Sequence, residues 1–411
     1  MRLAFVDFLY PGDSPLTNYT AVTPLQRPLG GMQSSLCYLA MALAARGHDV
    51  SILNSSKEIG VFGGVNCLGF RNDFSTATLN SFDVVVCISP IGRYLRNAGL
   101  KCPMVLWTMH DIDQLGAVHT LLDGNERYLW NKIVTASDWQ AERYANRFKI
   151  RAGSLHVIRN AVSPAFESLS RAEPYFFEVA RPPVLVYSST PFRGLEVLLG
   201  AFPLIRSLVP GCTAQIYSSM AVYADSDDRY KALYDRCRRT DGVEYYGSVS
   251  QTDLSKAYAK ADVFAYPSIF KETSCISLME AMASGCMVLS TDLGALSETA
   301  AGFGHLCSRT QGSSDEEFGH EYASFAGRMI QEAFKDPISC RNRLDAQREF
   351  VAKNYIWSAR AVEWEQILNP VARETPRTKT PSRNEPCPCG SGDRFKRCCG
   401  ELLQIGAHVD A

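Results

Sequence analysis

Short apolar runs recur along this chain, each separated from the next by a stretch with helical spacing. The first run, RLAFVDFLY at 2–10, predicts a buried strand. A loop rich in Gly, Pro and Thr follows and ends in PLGGMQSSLCYLAMALAARGHDVSIL, which predicts loop, helix, tight turn and strand. Leu36, Leu39, Ala40 and Leu43 fall on one helical face, Gly47 stops the helix, and 50–53 opens the next strand. Further strands are predicted at 83–89 (DVVVCIS), 103–109 (PMVLWTM) and 132–137 (KIVTAS), before SLHVIRNAV at 154–162. Continuous apolar strands alternating with helices indicate a parallel sheet covered on both faces.

A second series starts after ARPP, with PVLVYSSTPFRGLEVLLGAFPLIRSL, TAQIYSS, VEYYGSV, DVFAYP, a helix near 275–284, and MVLSTD. Between the two series, 173–183 holds three prolines and marks the boundary. The pattern divides the chain into a first αβ domain at 1–172 and a second at 173–345. In sheets of this kind ligands sit at the carboxyl ends of the strands. From 316 to 368 the pattern is helical, and 346–369, with Tyr355, Trp357 and Trp364, forms its last amphipathic part before Pro370. The stretch 370–384 is polar and Pro-rich, a mobile linker by composition.

Composition narrows the class. A chain of 411 residues suits two domains, and 46% hydrophobic with 21% charged residues is ordinary for a globular protein. A net charge of -1 argues against a nucleic-acid binder. No apolar run approaches the roughly 20 residues that span a bilayer. The start, MRLAFVDFLYPGD, has one basic residue and a strand broken by Asp7, unlike a signal peptide. A cytoplasmic location is expected, with peripheral membrane contact left open. Ten of the 14 cysteines are scattered through apolar segments and are expected to be buried thiols.

The chemistry concentrates in YPSIFKETSCISLMEAMASG at 266–285. A strand ends at Pro267, a short loop brings Glu272, and Thr273 or Ser274 is placed to cap the following helix. A helix N-terminus offers free N–H groups and partial positive charge to a phosphate. Glu280 lies eight residues after Glu272, among small and apolar residues rather than on a solvated face. Two carboxylates so placed suit sugar hydroxyls on either side of a diphosphate, because each offers acceptor oxygens and no donor.

With these residues the chain resembles the retaining glycosyltransferases of family 4. The resemblance rests on the acid–seven residues–acid spacing of Glu272 and Glu280, on Gly30–Gly31, RGHDV, IRNAV, FRGLEVLLGAF, YAKADVFAYPS and YIWSARAVEWEQIL. It spans about 1–368 and implies an α/β GT-B architecture: two Rossmann-like domains facing across a cleft, with 346–369 returning to the N-terminal domain. It implies transfer of a hexose or related sugar from a nucleoside-diphosphate sugar to an acceptor hydroxyl with retention, by front-face substitution and without a side-chain nucleophile. His110, Arg193 and Glu272 take the catalytic positions. Donor contacts fall to Gly30, Gly31, Arg193, Gly247, Glu272, Thr273, Ser274, Cys275, Ile276 and Glu280. The family's Gly-Arg after the first strand of the second domain is Ser188–Ser189 here. No catalytic metal is expected; the Asp111 and Asp113 pair follows the first sheet, where an acceptor-side role is open. The acceptor class is open too: glycan, lipid-linked, protein or small molecule.

Four cysteines crowd into EPCPCGSGDRFKRCCGE, at Cys387, Cys389, Cys398 and Cys399. Four thiolates within thirteen residues, with Gly390 and Gly392 for tight turns, suit a structural tetrahedral zinc. The segment resembles the SEC-C zinc motif known from the protein-export ATPase, and 385–401 is expected to be a small zinc module. Arg394, Lys396 and Arg397 on its surface suggest docking to a protein partner. Two other functions share the fold: a sugar-nucleotide epimerase or hydrolase, and a catalytically degenerate scaffold working through the zinc tail. A dehydrogenase would need GxGxxG after the first strand, which is lacking.

Overall fold

The computed structural model describes residues 1–7, 15–150, 152–167, 169, 171, 173–387, 392–398 and 400–401. The chain forms two compact units. One comprises Met1–Val22, Leu36–Arg159 and the chain from Arg360 onward; the other comprises Thr23–Ser35 and Asn160–Ala359.

The first unit is built on an eight-stranded sheet. Its strands are β1 (Arg2–Val6), β2 (Asp49–Asn54), β3 (Gly60–Phe62), β4 (Val65–Gly69), β5 (Val84–Cys87), β6 (Met104–Thr108), β7 (Lys132–Thr135) and β8 (Leu155–Val157). The order is β3-β4-β2-β1-β5-β6-β7-β8. All neighbours pair in parallel except β3 and β4, an antiparallel hairpin. Leu3 stands between Val50 and Val84 in register, and all three are fully buried. That is why these strands read as unbroken apolar runs: helices cover both faces. The hairpin turns at Gly63 and Gly64, both at positive φ, where residues with a Cβ are disfavoured.

The second unit holds β9 (Val184–Ser188), β10 (Thr213–Tyr217), β11 (Val243–Tyr245), β12 (Val263–Tyr266), β13 (Met287–Thr291) and β14 (His305–Cys307). Their order is β11-β10-β9-β12-β13-β14, with every pair parallel. Asp262, fully buried at the start of β12, ties this sheet together. It accepts hydrogen bonds from Arg181 at 2.6 and 2.9 Å, from the Val184 N–H at 2.9 Å, and from Arg171. A charge held away from water needs such partners. The chain order thus brings Arg171 and Arg181, from the segment before β9, onto the foot of β12.

The helix Trp357–Val371 carries Trp364 against Trp107 of β6, with ring centroids 5.1 Å apart. Glu365 on the same helix takes two 2.7 Å bonds from Arg46 and pairs with His48 at 2.9 Å. The polar stretch after this helix is not the free tether its composition suggests. Arg377 donates to the Trp130 carbonyl at 2.8 Å and accepts from Arg96 at 3.0 Å. Glu374 accepts from Asn131 at 2.9 Å, and Thr380 donates to Asn125 at 2.8 Å. Side chains on the body of the first unit supply the partners that a polar strand lacks by itself.

Of the scattered cysteines, Cys37, Cys67, Cys87, Cys212, Cys237, Cys275 and Cys286 are buried thiols, and Cys102, Cys307 and Cys340 are half-buried thiols. Among the described residues no helix is long and apolar enough to cross a membrane.

Candidate functional site

The site of the second unit grows from the carboxyl ends of β9 and β12. After β9 the chain makes a single turn of 3-10 helix, Pro191–Arg193, and enters the helix Leu195–Leu208 through Gly194. Gly194 has φ +124°, and a Cβ there would lie 2.2 Å from the Pro267 carbonyl oxygen, so only glycine lets the two loops meet. The loop after β12 is fixed in the same way. Glu272 pairs by backbone with Gly294, whose φ is +70° and whose Cβ would fall 2.5 Å from the Glu272 carbonyl oxygen.

This backbone brings Arg193 onto Glu272. One guanidinium nitrogen, Nη1, donates to both Glu272 carboxylate oxygens at 2.6 Å. Nε donates to Thr190 at 3.1 Å and Nη2 to the Tyr223 hydroxyl at 3.0 Å. The Phe270 ring lies under the guanidinium, 4.3 Å from its centroid. Burial works against the charge on Arg193, but Glu272, with Tyr223 and Tyr266 beside it, outweighs that and raises its pKa well above the usual arginine range. Arg193 stays a cation, and in the protein without donor its charge is shared with Glu272.

Two of these neighbours, Tyr266 and Tyr223, were not visible in the spacing. Tyr266, fully buried at the end of β12, donates to Glu272 Oε1 at 2.6 Å. Behind it Ser189 stands 3.3 Å from the Tyr266 hydroxyl, and Ser188 lies 2.5 Å from the Tyr258 hydroxyl. The two serines, at the place where the resemblance implies Gly-Arg, therefore supply hydroxyls to buried phenols. Tyr223 comes from a loop beyond β10, and nothing in its sequence surroundings points to Arg193. Tyr266 reads only as one more apolar position of a strand.

The helix after Glu272 runs Ile276–Ala283, and its cap differs from expectation. The N-cap residue is Cys275, whose side chain makes no capping hydrogen bond. The N-cap position falls to Cys275 rather than to Thr273 or Ser274, because the helix starts later than the pattern suggested. The Ser274 hydroxyl is buried without a partner among the described residues. Like any helix start, this one directs backbone N–H groups that could meet an anion.

Glu280 is 2% exposed, and its Oε1 has no hydrogen-bond partner among the described residues. Burial raises its pKa to about 8, against a backbone hydrogen bond from Ser163 that lowers it. A carboxyl left this way is an acceptor awaiting hydroxyl donors. Gly30 and Gly31 enter the same unit at the start of the helix Gly31–Ala45. A Cβ on Gly31 would lie 3.4 Å from Ile276, and one on Gly30 would lie 3.3 Å from the Tyr223 ring. Gly247 follows β11 at φ +70° with open space where a Cβ would point. Beside it the Tyr246 ring stacks on Tyr217, centroids 4.9 Å apart.

In the first unit His110 lies just beyond the carboxyl end of β6. Its carbonyl accepts from Gln140 at 2.8 Å and Tyr144 at 2.7 Å, and burial lowers its ring pKa to about 4. The imidazole is therefore neutral near pH 7 and can donate or accept one hydrogen bond at each nitrogen. Asp111 is almost fully buried in a two-pronged pair with Arg143, both bonds 2.7 Å, which Asp113 approaches at 3.8 Å. Both carboxylate oxygens of Asp111 are engaged by Arg143, so it braces the loop.

At the tail, Cys387 and Cys398 are buried in one small cluster with Phe395 and Tyr128. A hairpin bridge between Pro386 and Arg394, with Gly392 at φ +81°, brings the two cysteine segments together. Cys389 and Cys399 lie outside the described residues. Among the described residues no group of three or more metal-ligating side chains converges. Two buried thiols folded together by a glycine turn fit the sulfur preference of zinc.

Comparison with known proteins agrees with both parts. Residues 182–315 match the family described as Glycosyl transferases group 1, and 383–401 match the SEC-C motif. The chain is 25% identical over 384 residues to a phosphatidyl-myo-inositol mannosyltransferase of Mycobacterium tuberculosis, covering 84% of this chain and 94% of that one. Its tail is 67% identical over 24 residues to the protein translocase subunit SecA of a Sulfurovum species, 6% of this chain and 3% of that one. In structure it is similar to the sucrose-phosphate synthase of Thermosynechococcus elongatus, with TM-score 0.66 and 17% identity, over 90% of this chain and 99% of that one. With two Rossmann-like sheets and these matches, the chain is a GT-B-fold glycosyltransferase related to the family 4 enzymes, bearing a SEC-C motif.

Proposed function

We propose that this chain transfers a hexose or related sugar from a nucleoside-diphosphate sugar to an acceptor hydroxyl with retention at the anomeric carbon. The observation that supports this best is the Arg193–Glu272 pair beside the start of a helix whose Glu280 carries a buried oxygen with no partner among the described residues. Glu280 accepts from the ribose hydroxyls, and the start of the helix Ile276–Ala283, with Thr273, Ser274, Cys275 and Ile276, receives the distal phosphate. Arg193 stabilises charge on the departing diphosphate, which grows in the transition state. Glu272 accepts from hydroxyls of the transferred sugar, and neutral His110 is assigned to the same sugar. Gly30 and Gly31 admit the donor and acceptor backbone-close, and Gly247 borders the base.

In the reaction the bond from anomeric carbon to phosphate oxygen breaks first, and its electron pair leaves with the nucleoside diphosphate. The acceptor oxygen then bonds the same face of the carbon, and its proton passes to the departing phosphate oxygen. The name of the mycobacterial relative supports a hexose donor and puts lipid-linked acceptors first among those to try. In the tail, Cys387, Cys389, Cys398 and Cys399 hold a structural zinc ion. We place the enzyme in the cytoplasm, in reach of a membrane surface.

The test is to incubate the protein with UDP-, GDP- and ADP-sugars of α configuration and follow the released or transferred sugar by proton NMR. The α anomer should appear first, and Arg193→Ala should slow its release about 100-fold. Prior appearance of the β anomer would overturn retention. Ser188–Ser189 favours one other reading, a scaffold without catalysis, and the absence of any turnover with every donor would support it.

A further inference from the structure

The site has one feature that its expected roles leave unexplained. Glu272 and Arg193 neutralise each other, yet the proposed function asks Arg193 to attend a diphosphate. As Arg193 turns toward an incoming anion, Glu272, 3% exposed, loses part of its counter-charge inside the protein. An abandoned buried carboxylate is costly and tends to move or take up a proton. Some other group has to hold it.

We propose that Tyr266 is that group: a positioning residue whose phenol keeps the Glu272 carboxylate in place for the transferred sugar while Arg193 is shared with the diphosphate. Its hydroxyl donates to Glu272 Oε1 at 2.6 Å, at the short end of the range for a bond to a charged acceptor. The ring is fully buried, stacked 5.2 Å from Phe264 and tilted against Tyr187 with centroids 5.6 Å apart. Burial, and then Glu272 itself, push the phenol pKa well up, so Tyr266 is a proton donor throughout the working range. Ser189, 3.3 Å from the same oxygen, closes the chain behind it. Tyr223 plays the matching part on the other side, 3.0 Å from Arg193 Nη2, at the end of the 3-10 turn Met220–Tyr223. Ser189 thus occupies the place of a second cation with a hydroxyl that serves Tyr266.

This inference rests on the sugar-nucleotide reading, and two measurements on the full chain separate their fates. The first uses no donor: a double-mutant cycle of Tyr266→Phe and Glu272→Gln on urea unfolding. Coupled side chains give a non-additive result, and additivity would overturn the contact. The second compares calorimetric affinities for a nucleoside diphosphate and for the matching nucleotide sugar. Tyr266→Phe should leave the diphosphate within about twofold and weaken the sugar nucleotide about tenfold, the scale of one hydrogen bond to a charged group. Equal weakening of both would show a merely structural tyrosine and overturn the proposal. If wild type binds the diphosphate but gains nothing from the sugar, Tyr266 has no such role; if it binds neither, the functional reading itself fails and the inference with it.

Discussion

Burial opposes the charge on Arg193, and its pairing with Glu272 makes that burial tolerable. Glu280 has no such partner. Its pKa of about 8 means that the donor-free carboxyl is largely protonated at pH 7. Ribose hydroxyls donating to it favour the charged form. Donor binding at pH 7 should therefore release close to one proton, and affinity should climb as pH rises from about 6.5 to about 8, then level off. Calorimetry in two buffers of different ionisation enthalpy measures that proton, and Glu280→Gln should abolish both the release and the slope. The same residue has the opposite sign for folding. Its raised pKa contributes stability that is present below the ordinary carboxylate range and lost as pH rises through about 8. Both acids were legible in the sequence, because their spacing and the apolar surroundings of Glu280 carry information. Tyr266, Tyr223 and Thr190 were not. A buried phenol looks like any aromatic in a strand, and Tyr223 lies 30 residues from the cation it meets.

At the level of elements, the alternating pattern located β1, β2, β5–β8 and β9–β13; the central strands, such as β1, β5, β6, β12 and β13, are buried throughout or nearly so and read as unbroken apolar runs. It did not mark β3, β4 or β14. The hairpin β3–β4 did carry a signal, Gly63–Gly64 between apolar residues, but its strands are three and five residues long. The tail is the other departure. Composition alone makes 370–384 a tether, whereas hydrogen bonds to Arg96, Asn125, Trp130 and Asn131 lay it along the first unit. Such docking depends on partners hundreds of residues away, which no local window contains. Its end is held by Phe395, 3% exposed, edge-on to Tyr128 at 5.6 Å. Phe395→Ala should remove this anchor at a cost of about 3 kcal/mol to the docked state. Hydrogen exchange should then quicken across 374–398 and at Tyr128 while the strands of both sheets keep their protection. Unchanged exchange in the tail would show that the polar contacts suffice alone.

For the whole molecule, two αβ sheets and a cysteine-rich tail answer to two separate sets of residues. The second unit gathers Arg193, Glu272, Tyr266 and Glu280 at the carboxyl ends of its strands, where such sheets bind ligands. The tail docks on the first unit beside Trp130 and Asn131, which precede β7 and so lie at the opposite end of that sheet from His110. Catalysis and tail docking are therefore predicted to be separable. The central claim is that the gathered residues bind a sugar nucleotide, and calorimetric titration of the intact protein with UDP-, GDP- and ADP-sugars tests it most directly. One donor should bind wild type, and Glu280→Ala should weaken it about tenfold or more, since a buried acceptor facing two hydroxyls is lost. Failure of every donor to bind a folded wild-type protein, or equal binding to Glu280→Ala, would contradict the account.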